Sequence, residues 1–395
     1  MPPAFSPEFR LIIECLKWPP SDRRTEAIHR AASGSIDWSH LLHLAQRHRV
    51  IGLVANGLGQ IGTPVPTEIK LLFDERSRAL VLLNLSLSAE AVRLLHLFES
   101  AGLPVAFLKG SSLSMLAYGN VGLRQSEDID IIVPPKRFAQ ASTLLQRAGY
   151  DLYEPPPQIS PTQLKLLRSM RKDFAYICHE TKMKVELHWG LFLNPHFMTM
   201  PVWTACREVE LSPGIELRTL SDEDLFAFLC AHGSLHWWNR LQWLADIGAL
   251  LSTASPERID GLCTAAAARG VGRPASLALL LCRDVLLMNI PERLTPDGNT
   301  LAMKWMRRTS LSAMGISTGH RERAVIPLGT TRGSLSALLL RKDWRYRLTE
   351  LRGLVTCQED ILTVRLPYPL RVLYPFLRLP LWLWRQTLRL AQSTH

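Results

Sequence analysis

Two carboxylates in a short apolar run carry the clearest chemistry in this chain. They are Asp128 and Asp130 of Glu127-Asp128-Ile129-Asp130-Ile131-Ile132-Val133. The run reads as a strand, so side chains two apart leave the same face, about 6.5–7 Å from one another along the chain. Ile129 and Ile131 then point the other way, into a core. Such a pair can hold two divalent ions about 3.5–4 Å apart, which clamp the attacking and leaving oxygens of an in-line phosphoryl displacement. Magnesium suits that role because it takes oxygen ligands and keeps water and substrate phosphates in its shell, with Mn²⁺ as the alternative. Alone, an Asp-x-Asp pair serves as readily as a solvated face.

The surrounding residues add weight. Gly110-Ser111 lies 18 residues before Asp128 and follows an apolar run. Glycine lets a backbone approach a phosphate closely, and a serine hydroxyl can donate to it. Lys109 sits beside this turn and Arg124 four residues before Asp128. Both are of the type that neutralises a triphosphate. The plainer alternatives are a solvated strand-end lysine and an arginine paired with Glu127 or Asp128. A third acid, Glu186, stands between Val185 and Leu187. A charge among apolar neighbours needs a partner or a metal, and Lys184 or Lys182 is the alternative partner. His188 shares the face of Glu186 on a regular strand. It either reaches the metal-bound substrate or is a half-buried structural histidine.

A second group runs from His232 to Asp246. His232 and His236 are four apart on an expected helix but lack the third ligand that zinc requires. Trp238, Arg240 and Trp243 suit a helical wall over a nucleotide, with Arg240 either on a phosphate or held by Asp246. An aromatic core is the alternative for the tryptophans.

The elements that must position these groups follow from periodicity. Trp38 to Ala45 has helical spacing with Asp37 as its N-cap. A long helix runs from about Thr67 to Ala101 and stops at Gly102. Pro104 to Leu108 is a short buried strand, Ser112 to Tyr118 a helix, Ile129 to Val133 a strand closed by Pro134-Pro135, and Arg137 to Ala148 a helix ending at Gly149. Phe174–Ile177 and Lys184–Trp189 form a hairpin. Ser221-Asp222-Glu223-Asp224 opens a run of helices to about residue 292, and 293–335 is poorly patterned. The expected fold class is α+β, a small mixed sheet with flanking helices, preceded and followed by mainly helical regions. The expected division is a helical region 1–100, a catalytic core 101–215, a helical domain 216–330 closing the nucleotide cleft, and a basic segment 331–395.

Phe107-Leu108-Lys109-Gly110, Tyr118-Gly119, Arg124 to Asp130, Val185 to Trp189 and His232 to Leu241 together resemble the bacterial family of uncharacterised nucleotidyltransferases. That family looks like part of the DNA polymerase beta-type nucleotidyltransferase superfamily. The resemblance covers about residues 35–255. It implies that Asp128 and Asp130 bind two metals, that Glu186 completes one site and accepts the acceptor's proton, and that Gly110 and Ser111 hold nucleotide phosphates. Lys109, Arg124, His188 and Arg240 join as nucleotide-binding candidates. The departure is Glu186, where many superfamily members carry Asp. The implied reaction is transfer of a nucleoside monophosphate from an NTP, ATP by default, to a small-molecule, sugar or peptide acceptor. The competing reading is an inactive binding module of the same fold.

Composition limits these options. The 395 residues are too many for one small core. The formal charge of +11 favours an anionic partner without choosing one. Nucleic acid stays open but is not favoured, since no aromatic interleaving accompanies the charge. Seven scattered cysteines argue against a disulfide framework or a zinc site and for reduced thiols. The N-terminus lacks a signal-peptide pattern and no uncharged apolar run reaches about 20 residues, so a cytoplasmic location is expected. Residues 331–395 hold 11 Lys/Arg and 4 Asp/Glu. Within them, Tyr368–Leu390 alternates apolar groups with arginines, which suits packing onto the catalytic domain or a peripheral membrane contact.

Overall fold

The computed structural model describes residues 5–60, 65–155, 161–199, 203–315 and 327–355, with a few positions between 364 and 384. Four helices open the chain: α1 (Pro7–Leu16), α2 (Asp22–Ala32), α3 (Trp38–Arg47) and α4 (Ile51–Gly59). Asp37 caps α3 by accepting from the His40 N–H, as its sequence predicts. The long helix α5 (Thr67–Ser100) follows and ends before Gly102, whose φ is +64°.

The sheet-bearing part of the chain alternates strands and helices. In order it runs β1 (Ala106–Phe107), α6 (Ser111–Tyr118), β2 (Ile129–Ile132), α7 (Phe138–Arg147), β3 (Tyr150–Glu154), α8 (Pro161–Arg168), β4 (Asp173–Cys178), β5 (Lys184–His188), β6 (Arg207–Ser212) and β7 (Ile215–Thr219). These make a seven-stranded mixed sheet in the order β3-β4-β5-β2-β1-β7-β6. The β4–β5 hairpin is antiparallel as expected. Strand β1 is shorter than its apolar run, and Pro104 at the start of that run has no N–H to give a ladder. Strands β3, β6 and β7 were not foreseen. Two of them, β3 and β6, are the sheet edges and bury few side chains, so little hydrophobic alternation marks them.

After Ser221, which caps α9 through the Asp224 N–H, come α9 (Asp222–Leu235), α10 (Leu241–Leu251), α11 (Pro256–Ala268) and α12 (Gly272–Val285). Helices α13 (Leu301–Ala313), α14 (Pro327–Leu339) and α15 (Trp344–Val355) complete the described chain. Helix α13 lies in the stretch whose pattern was poor. Most of 356–395, including the arginine-rich tail, lies outside the described residues.

Two apolar clusters organise the packing. One lies under the sheet and joins Phe98 and Leu94 of α5, Leu145 of α7, and Ile131, Val185 and Leu187 of the central strands. The other joins α1, α3 and α4 to α9, α10, α12 and α13. Helix α5 is long and apolar enough to cross a bilayer by length and composition. Its inner face nevertheless carries Asn84, Ser88 and Glu90, which bond to the loop before β2, the start of α6 and β3.

Candidate active site

Strands β2 and β5 pair in parallel, with Asp130 opposite Glu186 and Ile132 opposite His188. Alternation sends Ile129, Ile131, Val185 and Leu187 into the cluster under the sheet. Asp130, Glu186 and His188 therefore share the opposite face. His188 Nε2 lies 3.2 Å from Asp130 Oδ1 and 3.7 Å from Glu186 Oε2. One ligand atom from each of the three lies within 4.8 Å of the others, the one such group among the described residues. Two carboxylates and an imidazole, largely buried, form a donor set that fits a divalent ion. Asp128 stands one residue before β2 and outside that group of three.

The charges are strongly coupled. Burial, reinforced by the carboxylates of Asp130 and Glu186, pushes Asp128 up to about 6 against the pull of Lys109 and Lys184. Burial opposes ionisation of Asp130 too, but the Lys109 ammonium and His188 outweigh it and hold that carboxyl well below its ordinary value. The same contest at Glu186, with His188 and Lys184 prevailing over burial and Asp130, lowers its pKa. Lys109 Nζ is 3.0 Å from Asp130 Oδ2, and Lys184 Nζ is 2.9 Å from Glu186 Oε1.

A sequence model of uncharacterised nucleotidyltransferases matches residues 34–286, a span that holds every one of these residues. The chain belongs to that family. Comparison with curated proteins finds no match.

The signature segments divide into those at the acidic cluster and those that support it. Gly110 has φ +72° and opens α6, with Ser111 as the first helical residue. A Cβ on Gly110 would meet no atom within 4 Å, so the glycine serves backbone conformation rather than space. Ser111 Oγ lies 2.6 Å from Ser88 Oγ of α5, which anchors the start of the helix. Lys109, expected at a phosphate, touches Asp130 directly.

Arg124 is a correction. It is 4% exposed, its Nε donates to Asp246 Oδ2 at 3.0 Å, and its other bond is to Ser126. Tyr118 donates its hydroxyl to Asp246 Oδ1 at 3.0 Å. Arg124 is thus bound neither to Glu127 nor to Asp128 and sits in a buried network with Asp246 and Ser126. Asp246 consequently holds Arg124, not Arg240. Arg240 is half-buried at the N-cap of α10. Trp238 is fully buried, and a Cβ on Gly233 would come within 2.6 Å of its ring, so Trp238 is core and not a cleft wall. Trp243 does group with His232 and His236, at ring separations of 5.2 and 5.3 Å. Burial and the nearby ammoniums of Lys109 and Lys172 lower the pKa of His236 to about 4, and burial with Lys109 and His236 holds His232 well below its ordinary value.

Four contributors were not singled out as site residues from sequence. Lys184 was weighed only as a structural partner of Glu186. Asn84 donates to the carbonyls of Val121 and Arg124 at 2.8 and 2.7 Å, fixing the loop that delivers Asp128. Lys172 and Asp173 meet His188 Nδ1, at 3.3 and 3.6 Å. The i, i+2 spacing of Lys184, Glu186 and His188 was the available signal for Lys184; nothing local marks the others. Arg49, whose φ is +59°, pairs with the exposed Glu127.

Proposed function

We propose that this chain is a metal-dependent nucleotidyltransferase of the DNA polymerase beta-type superfamily. It moves a nucleoside monophosphate from an NTP, ATP by default, to a hydroxyl or phosphate acceptor. The observation that carries this reading is the buried Asp130–Glu186–His188 group with Asp128 at its edge. Asp128, Asp130 and Glu186 would hold Mg²⁺ or Mn²⁺, which when bound stabilises charge on the phosphoryl oxygens. The Gly110-Ser111 turn at the N-terminus of α6 offers backbone N–H groups to the phosphates. Lys109 and Lys184 already stand at the acids and can move to the triphosphate charge. The acceptor oxygen bonds to the α-phosphorus, its proton passes to Asp128 or Glu186, and the α–β bridging bond breaks to release pyrophosphate. The acceptor is a small molecule, sugar or peptide in this reading, and the reaction runs in the cytoplasm, where thiols stay reduced.

The test is pyrophosphate release from each NTP by the purified chain with Mg²⁺ or Mn²⁺ and pooled acceptors. Asp130→Asn should remove it while the circular dichroism spectrum stays unchanged. Full turnover in folded Asp130→Asn sinks the assignment.

One observation favours a second reading, a binding module without turnover. The Lys109 and Lys184 ammoniums sit on Asp130 and Glu186 and neutralise them. Calorimetry separates the two readings, because a binding module takes up nucleotide equally with and without magnesium.

A further inference from the structure

We propose that His188 ligates the divalent ion directly through Nε2, with Asp173 orienting its ring, and that the centre therefore favours Mn²⁺ over Mg²⁺. The inference rests on the transferase reading above and adds a ligand and a metal preference to it.

The argument is geometric. Adjacent ligand atoms on an octahedron of radius about 2.1 Å lie about 3 Å apart. His188 Nε2 is 3.2 Å from Asp130 Oδ1 and 3.7 Å from Glu186 Oε2, close to the edges of such a polyhedron. The backbone fixes this arrangement. Glu186 and His188 are two apart on β5, and the parallel register sets Asp130 beside Glu186. The imidazole is 2% exposed and has no room to swing away. Its far nitrogen meets Lys172 Nζ at 3.3 Å and Asp173 Oδ2 at 3.6 Å, and these two are ion-paired with one another. Ligation through Nε2 requires the ring proton on Nδ1, and Asp173 Oδ2 is then the acceptor beside that nitrogen, with the Lys172 ammonium, a donor only, pairing with Asp173 rather than with the ring. A carboxylate behind a histidine in this way fixes both tautomer and ring orientation at metal centres.

The donor set has a consequence for the ion. Magnesium takes oxygen ligands, whereas imidazole suits first-row transition ions and Mn²⁺ accepts carboxylate and water as well. A buried nitrogen in a ligand position thus penalises Mg²⁺ more than Mn²⁺.

The experiment uses the full chain, stripped of metal and labelled with ¹⁵N-histidine, with Mn²⁺ as the probe in the presence and absence of ATP. Pulsed electron paramagnetic resonance should show a ¹⁵N coupling to bound Mn²⁺ that His188→Gln removes. Mn²⁺ affinity should fall at least about tenfold in His188→Gln and about tenfold in Asp173→Asn. The Mg²⁺ affinity of His188→Gln should change less. Bound Mn²⁺ with no ¹⁵N coupling, or a coupling that survives His188→Gln in folded protein, overturns the proposal. Asp130→Asn reports on the underlying reading separately. If Asp130→Asn loses Mn²⁺ and turnover while the parent shows no ¹⁵N coupling, only the role of His188 is overturned. Failure of the parent to bind Mn²⁺ with or without ATP overturns both.

Discussion

The molecule buries charge in two places, and the two are built on opposite terms. At the Arg124–Asp246–Tyr118 network one cation meets one carboxylate, a phenol completes the acceptor, and Asp246 is fully buried. At Asp128, Asp130 and Glu186 three carboxylates crowd together, and burial plus mutual repulsion raises Asp128 to about 6. The first network is closed and satisfies itself. In the second, Lys109 and Lys184 pair with Asp130 and Glu186, and three carboxylates against two ammoniums leave one negative charge that an added cation would relieve. Buried charge by itself therefore does not mark a site; unbalanced charge does. Arg124 lies in the signature segment beside Asp128, yet it belongs to the closed network. Its task is to hold the loop that carries the acids.

The comparison can be broken most sharply at Asp130. Asp130→Asn should cut turnover by about a thousandfold, the scale of several kcal/mol of metal-assisted charge stabilisation, with the fold intact by circular dichroism. A loss of only a fewfold in pyrophosphate release would mean that the open cluster is not the reacting centre.

The closed network should answer in stability. Arg124→Met strands Asp246 as an unpaired buried acid and should cost about 3–5 kcal/mol in urea unfolding. Arg124→Met with Asp246→Leu should recover much of that loss, since apolar replacements of buried pairs are often tolerated. If the single variant unfolds like the parent, the network is not the closed pair described.

Asp128 should move the opposite way. Its folded pKa of about 6 lies above its ordinary 3.8, so ionising it in the fold costs stability as pH rises through that window. In metal-free protein Asp128→Asn should therefore be more stable than the parent. The gain should be complete above about pH 6 and vanish below about pH 4, where both states of the parent are protonated. The same variant should lose turnover, a trade between stability and function expected of a strained centre. Parallel stability profiles from pH 4 to 7 would remove the contrast between the two networks.

The smallest effect is expected at Gly110. Its φ of +72° disfavours any side chain, so Gly110→Ala should cost about 1–2 kcal/mol in urea unfolding. Unchanged stability would remove the conformational reason for glycine at the turn. Because the substitution shifts the start of α6 and Ser111, KM for the NTP should rise more than kcat falls.

The sequence by itself determined the local pieces. Asp37 and Ser221 as caps, Gly102 and Gly149 as stops, and the in–out alternation of Ile129 to Ile132 and of Lys184 to His188 all depend on near neighbours and on the period of the element. Those signals were sufficient to read Asp128, Asp130 and Glu186 as acids on strands near a glycine turn. Only the tertiary structure decided which of them meet. Periodicity tells which face a side chain occupies but not which strand lies beside it. The parallel pairing of β2 with β5 brings His188 to Asp130 and leaves Asp128 at the margin. Likewise, an arginine needs a partner, but sequence cannot choose between Glu127, Asp128 and Asp246. The packing of α10 against α6 chose Asp246 by placing it where Arg124 and Tyr118 both reach it.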